Sequence, residues 1–354
     1  LLPKITDVIN MNKIKLFAKT SIILAMVTLL LSLTGCGAGG GFFKGNTQTI
    51  QTYDFQKGTE GLKVEFIEGM PPKQLFIGTD FATGIKVKNM GAYDLSGNAE
   101  LKLTAPEMSA FQFRGNNPQF IQLRGKSLYS KEGEEDIITF PMKALCFPGY
   151  EEKIVNNYTR KLKATTCYYY ETAANVDICV DTRKFMRQPN EKAECVMNDK
   201  TFSGGQGGPV GLTRISPTII PQSQEEVTVQ LSFSVDKLQG QSHEIYNPQA
   251  GCTDATKQNE VEIEVQMSNQ PLQCNPALVK LKEREAVSTI CTTKMKPDLG
   301  AFLTPITVKM KYYVQQNALK EITVEPPPGF RINNCASLKS EGPAVTGPTV
   351  ETKH

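Results

Sequence analysis

The run Thr83-Gly84-Ile85-Lys86-Val87-Lys88-Asn89-Met90-Gly91 alternates apolar and charged side chains and then stops at a turn pair. Alternation with a period of two is the signature of a strand with one face buried and one wet. The same pattern recurs upstream at Leu62, Val64 and Phe66 and downstream at Leu101 and Leu103. Further strands are expected over 120–123, 137–145, 161–169 and 176–180. Turn signals such as Met70-Pro71-Pro72 separate several of them, and no long helical period occurs between residues 60 and 200.

A second series of strands is expected at 210–215, 227–235, 261–267, 278–281, 286–291, 306–314 and 322–324. Ser203-Gly204-Gly205-Gln206-Gly207-Gly208-Pro209 stands between the two series and reads as a linker. Many short strands joined by polar turns argue for an all-β chain of two tandem immunoglobulin-like β-sandwiches. The halves share an opening phrase. Gly61-Leu62-Lys63-Val64-Glu65-Phe66, a proline turn and the strand 81–89 answer to 208–215, Pro217 and Pro221, and the strand 227–235. The expected layout is residues 60–202 for the first sandwich, 203–209 for the linker and 210–336 for the second sandwich. Residues 337–354 lack apolar periodicity and read as a disordered tail.

The phrase ending at Asn89-Met90-Gly91 resembles the "V-x-V-x-N-x-G" strand of CARDB-like and other immunoglobulin-like modules of bacterial and archaeal surface proteins. That resemblance covers residues 60–105 and implies an extracellular sandwich whose strand ends at Asn89 and Gly91. It implies nothing about a ligand, since many functions sit on this fold. The second half departs from it, because Phe233-Ser234-Val235-Asp236 carries no Asn-x-Gly.

The N-terminal segment reads as a secretory signal. Lys13, Lys15 and Lys19 precede an apolar core from Ser21 to Leu33, which is short for a bilayer span of about 20 residues. Met11 is the expected start. The ending Leu33-Thr34-Gly35-Cys36 resembles the lipobox of bacterial and archaeal lipoproteins. The resemblance implies cleavage before Cys36 and a diacylglyceryl thioether on its sulfur, with residues 1–36 as signal and lipobox. Each buried methylene is worth about 0.8 kcal/mol, so two acyl chains anchor a domain stably. Residues 37–59, opening with Gly37 and Gly39 to Gly41, form the expected tether. Localisation is then the extracytoplasmic face of the cell membrane, and the first partner is the membrane through the lipid on Cys36.

Composition narrows function by exclusion. The formal charge of +3 lies in the signal, where Lys4, Lys13, Lys15 and Lys19 stand against Asp7. Taking these from 39 basic and 36 acidic residues leaves 35 of each, so there is no electrostatic case for nucleic acid. Histidine occurs only at His243 and His354, which removes the usual general base and metal ligand. No nucleophile–base motif is present, and no enzyme activity, cofactor or metal site is expected.

Nine cysteines less the lipidated one leave Cys146, Cys167, Cys179 and Cys195 in the first half and Cys252, Cys274, Cys291 and Cys335 in the second. In an exported chain these read as disulfides, with each half closing its own pairs in an order the sequence leaves open. Asn157-Tyr158-Thr159 is a candidate N-glycosylation site. Cys167-Tyr168-Tyr169-Tyr170 reads as strand packing rather than as a binding platform. Glu132-Gly133-Glu134-Glu135-Asp136 reads as a solvated turn rather than a calcium loop, and Asp177 and Asp181 lack a second ligand set. The glycines at 204–208 are not followed by the Lys-Ser/Thr of a phosphate loop.

The function these readings support is a non-catalytic structural, adhesive or assembly role at the cell surface, with another surface protein or a glycan as partner. The alternative is an accessory lipoprotein subunit that binds a solute or polymer for an envelope machine.

Overall fold

A computed structural model describes residues 54–330, apart from 106–109, 147–156, 189, 239–242 and 284. The expected signal and lipobox at 1–36, most of the tether, the tail, Cys36 and Cys335 lie outside the described residues. The described chain is almost entirely β. Its strands are β1 (Leu62–Phe66), β2 (Gln74–Phe76), β3 (Asp80–Asn89), β4 (Leu95–Thr104), β5 (Phe111–Phe113), β6 (Gln119–Leu123), β7 (Glu135–Ala144), β8 (Tyr158–Asp181) and β9 (Lys200–Thr201). The second series is β10 (Val210–Pro221), β11 (Val227–Lys237), β12 (Glu244–Tyr246), β13 (Glu260–Met267), β14 (Gln270–Pro271), β15 (Gln273–Asn275), β16 (Leu278–Lys280), β17 (Val287–Met295) and β18 (Ala301–Glu325).

Two short sheets, ordered β1-β3-β7-β5 and β15-β17-β11-β10-β9, accompany one long sheet. The long sheet runs β14-β13-β18-β8-β4-β6, with β2 and β12 added on β18 and β16 on β13. All pairings are antiparallel except β2 with β18. The long sheet is built on β8 and β18, which pair from Tyr158–Val324 to Asp181–Ala301. At about 3.4 Å per residue each spans about 80 Å. One face of β8 stays buried at every second residue, from Leu162 through Tyr170 and Val176 to Val180.

The sequence pattern broke β8 into 161–169 and 176–180, and β18 into 306–314 and 322–324. Both are continuous. In β8 the gap is bridged by the inward residues Thr172 and Ala174, too small or polar to register as an apolar stripe, although both are buried. In β18 the inward residues Gln316 and Ala318 mask the pattern in the same way.

The two halves repeat one ladder. Val64 pairs with Val87 and Phe66 with Ile85, as Leu212 pairs with Val235 and Ile215 with Phe233. Leu101 and Leu103 face Thr166 and Ala164 across β4–β8, as Ile263 and Val265 face Met310 and Val308 across β13–β18. Tyr169 pairs with Tyr313 at the point where the halves exchange roles along the long pair. The matching reaches single hydrogen bonds. The backbone N–H of Leu62, first residue of β1, donates to Tyr168 Oη at 3.1 Å. The N–H of Val210, first residue of β10, donates to Tyr312 Oη at 3.3 Å.

The boundary at 203–209 looks different in the structure. β8, from the first half, and β18, from the second, pair along their whole length, β4 of the first half and β13 of the second join this same sheet, and the described residues fall within one compact unit. The glycine stretch is packed: Gly207 and Gly208 are buried, and Gly207 O accepts a 2.6 Å hydrogen bond from Tyr170 Oη. A Cβ added at Gly208 would lie 2.2 Å from Thr172 Oγ1, so glycine is needed there for space. Lack of side chains, which suggests flexibility in a sequence, here permits close approach.

Candidate functional site

The tyrosines that invited a binding reading lie inside. Tyr168, Tyr170 and Tyr312 are fully buried on the inner face of the long sheet. Tyr170 Oη also accepts from the N–H of Tyr93 at 3.4 Å, and Tyr312 Oη meets Thr172 Oγ1 at 2.6 Å. Burial raises the phenol pKa of all three, with the hydrogen bonds they accept acting in the opposite direction. They are neutral hydrogen-bonding posts. On the outer face Tyr169 packs edge-on to Tyr313 and to Tyr93, with ring centroids 5.6 and 5.8 Å apart.

Asn89 and Gly91 have a structural task tied to this cluster. Asn89 is fully buried; its Nδ2 donates to Tyr93 O at 2.7 Å and to Leu123 O at 3.3 Å, while its Oδ1 accepts from Gly91 N at 3.1 Å. A Cβ at Gly91 would fall 1.7 Å from Tyr170 Oη and 2.3 Å from Gly207 O. The strand-ending pair thus brings its own turn against the shared tyrosines.

The acidic turn carries ion pairs. Lys88 reaches Glu132 at 3.1 Å and Glu135 at 3.4 Å, and Lys86 reaches Glu135 at 2.9 Å. The hydrogen bond from Lys86 comes first among the causes that hold the Glu135 carboxyl below its ordinary value. Asp181 pairs with Arg187 at 2.8 Å and accepts from Arg183 N, and Asp177 joins no such cluster. Among the described residues no group of three or more His, Cys, Asp or Glu could hold a metal ion. Asn157 is exposed just ahead of β8, with its amide donating to Glu325 Oε1 at 2.7 Å.

Three disulfides join described cysteines: Cys167–Cys252, Cys179–Cys195 and Cys274–Cys291. The expectation that each half closes its own pairs is corrected by Cys167–Cys252, which ties β8 to the loop after β12. The reason is the shared sheet: this part of β8 lies beside β18, and Cys252 Sγ sits 3.5 Å from Val314 O on that strand. Cys146 is disulfide-bonded as well. The other six described cysteines pair among themselves, so its partner lies outside the described residues. Disulfides of this number fit an oxidising, extracytoplasmic environment. No described helix is long and apolar enough to cross a membrane.

Two surface features were missed in the sequence. One is an apolar end. Leu303 is directly opposite Cys179 in the β8–β18 ladder; Cys179 is bonded to Cys195, which precedes Val196. Thr182 is tied to Gly300 by its N–H at 2.9 Å, next to Leu299. Phe185, Val196, Leu299 and Leu303 are 63%, 70%, 56% and 59% exposed. The other is a slot of about 330 Å³ between Ala173–Val176 of β8 and residues 200–206, with Gln56 and Lys57 at its side. Glycine-rich sequence and alanines gave no signal for either wall. The continuity of β8 was the missing information.

No protein-family profile and no curated protein matches the chain. Among solved structures, a conserved protein of unknown function from Pseudomonas aeruginosa PAO1 aligns over 73% of this chain and 98% of its own, at 8% identity and a TM-score of 0.11. A score that low carries no inference. The fold defines the class: an all-β, disulfide-bonded protein of antiparallel sheets in a sandwich-like arrangement.

Proposed function

We propose that this protein is held by a lipid on Cys36 at the extracytoplasmic face of the cell membrane and works there as a non-catalytic assembly or adhesive component. The observation that carries this reading is the apolar end formed by Phe185, Val196, Leu299 and Leu303. Large apolar side chains gathered at one exposed place mark interaction surfaces more often than they occur on free monomers. Phe185 lies on the loop stapled by Cys179–Cys195 and by the Arg187–Asp181 ion pair, Val196 follows that staple directly, and Leu303 is on β18, so much of the surface is held in place and less ordering entropy opposes docking. A protein partner fits this chemistry better than a glycan, because the four side chains offer no hydrogen bonds.

A photo-crosslinking residue at Phe185, used on intact cells, should capture one surface protein that the same residue at Lys126 does not. Equal capture from both positions contradicts the docking role. The anchor has its own test. A lipid on Cys36 leaves Cys335 as the partner of Cys146, and non-reducing peptide mapping should show that pair. A Cys36–Cys146 crosslink, or an unmodified Cys36 thiol, sinks the lipoprotein reading.

A further inference from the structure

We infer that the slot beside β8 binds a small hydroxylated carboxylate of monosaccharide size, with a uronic acid as the type ligand. The cavity is the first observation. Its volume of about 330 Å³ is at the small end for ligand sites, which suits a single sugar ring. Its walls differ in chemistry. Phe202 and Val176 supply apolar surface, while Asn175, Thr201 and Ser203 supply an amide and two hydroxyls. An apolar wall with a few placed polar groups suits a ring that has C–H faces and a hydroxylated rim.

The polar groups are available to a ligand. Asn175 Oδ1 accepts from Thr307 Oγ1 at 2.9 Å, which leaves the amide nitrogen to donate. Gln206 also lines the slot but is closed on Leu212, accepting from its N–H at 2.8 Å and donating to its carbonyl at 3.1 Å. The backbone adds to the side chains. β4 pairs with β8 only as far as Glu100 opposite Cys167, and from Tyr168 to Asp181 no described strand pairs with that side of β8. The edge at Ala173 to Val176 therefore offers both N–H donors and C=O acceptors, which is what a polyol requires.

Charge selects the acid. No Asp or Glu is among the lining residues. Lys57 lines the slot but has an interaction within the protein, which leaves Lys200 to meet a carboxylate. The carboxylate next to Lys200 in sequence, Asp199, is taken by Arg214, whose Nε donates to it at 3.0 Å. A neutral sugar forgoes the contact with Lys200, and an amino sugar meets like charge. This inference is independent of the apolar end and of the anchor.

Ligand-observed NMR on the full-length protein tests it, with D-glucuronate, D-galacturonate and D-mannuronate as probes and D-glucose and acetate as controls. At least one uronate should bind at millimolar concentration, more tightly than either control, and should slow amide exchange within 173–176. Lys200→Gln should keep the disulfide map and weaken that uronate about fivefold while leaving glucose unchanged, and Lys200→Arg should restore it. Thr201→Trp, at an exposed position that lines the slot, should abolish binding. The methyl glycoside of the same uronate separates the two sources of this group: it binds as well as the free acid if the ligand is the end of a glycan, and less well if it is a free sugar acid. No binding by any uronate overturns the proposal. Acetate binding as tightly as the uronate, or uronate binding that survives Thr201→Trp, overturns it too, since the first removes the ring from the recognition and the second removes the slot.

Discussion

The two halves share a ladder but close it differently. In the first, the edge pair β5–β7 is held by aromatic packing: Phe111 lies edge-on to Phe81 at 6.1 Å, and Phe113 edge-on to Phe140 at 6.4 Å. In the second, the matching pair β15–β17 is joined covalently at Cys274–Cys291, two residues directly opposite each other. Each edge-on ring pair adds about 0.5–1.5 kcal/mol beyond its burial. A 17-residue disulfide loop is worth about 3 kcal/mol in the chain-entropy account. One strand scaffold thus accepts two unrelated fastenings at one position, so the backbone ladder, rather than any particular side chain, defines the repeat. At the centre the halves converge again, each opening strand hanging from one buried tyrosine.

The largest perturbation of this comparison is to cut the covalent tie that crosses it. Cys167–Cys252 closes a separation of 85 residues, and its loss through the double serine variant should cost about 4–5 kcal/mol by chemical denaturation. A cost equal to that of losing Cys179–Cys195, which spans 16 residues, would break the account of a tie across halves.

Next comes the turn that only the first half has. Gly91→Ala forces a Cβ into Tyr170 Oη and the Gly207 carbonyl, and should destabilise by about 3 kcal/mol. Adding Tyr170→Phe should recover only part of this, because the Gly207 carbonyl stays in place; full recovery would show that the glycine stretch yields.

A pH titration separates the halves by chemistry, since the first contains no histidine. His243 is buried in the second. Burial, with the charge of Lys237 adding to it, holds the imidazole down to about 4, below its ordinary 6.5. The unfolded chain therefore binds this proton first as pH falls. Stability is complete above about pH 6.5 and declines toward pH 4, by about 2–3 kcal/mol from this group. His243→Gln should flatten that part of the Tm profile, and an unchanged slope would assign it elsewhere.

The smallest expected effect is the most symmetric. Tyr168→Phe and Tyr312→Phe each leave a buried backbone N–H, of Leu62 or Val210, without its acceptor, at about 1–2 kcal/mol. Tyr312 should cost more, because Thr172 loses its partner as well. Equal unfolding free energies for the two variants would show that the Thr172 contact adds nothing.

Much of this was legible in residues 62–66, 81–89, 101–103 and 227–235, where alternation is strict and one face is apolar. Legibility failed where the inward positions were Thr172, Ala174, Gln316 and Ala318, because hydrophobic periodicity vanishes while the backbone ladder continues. That single loss hid the shared sheet. It hid that Gly207 and Gly208, read as part of a linker, are packed, and it sent Cys167 to the wrong half. The tyrosine runs 168–170 and 312–313 were the available clue, since they stand at matching places in the two series. The slot left no mark at all: an unpaired edge is a property of what lies beside a strand, and nothing in Ala173-Ala174-Asn175-Val176 records it.

The claim underneath these results is that β8 and β18 bind the halves into one folding unit. Hydrogen exchange through a denaturant series reads it directly, comparing amides of β3 in the first half with those of β11 in the second. A shared sheet predicts that both sets lose protection in the same transition, at the same denaturant concentration and with the same slope. Protection in β11 that outlasts a complete loss in β3, or the reverse, would contradict it and restore two independent sandwiches joined at 203–209.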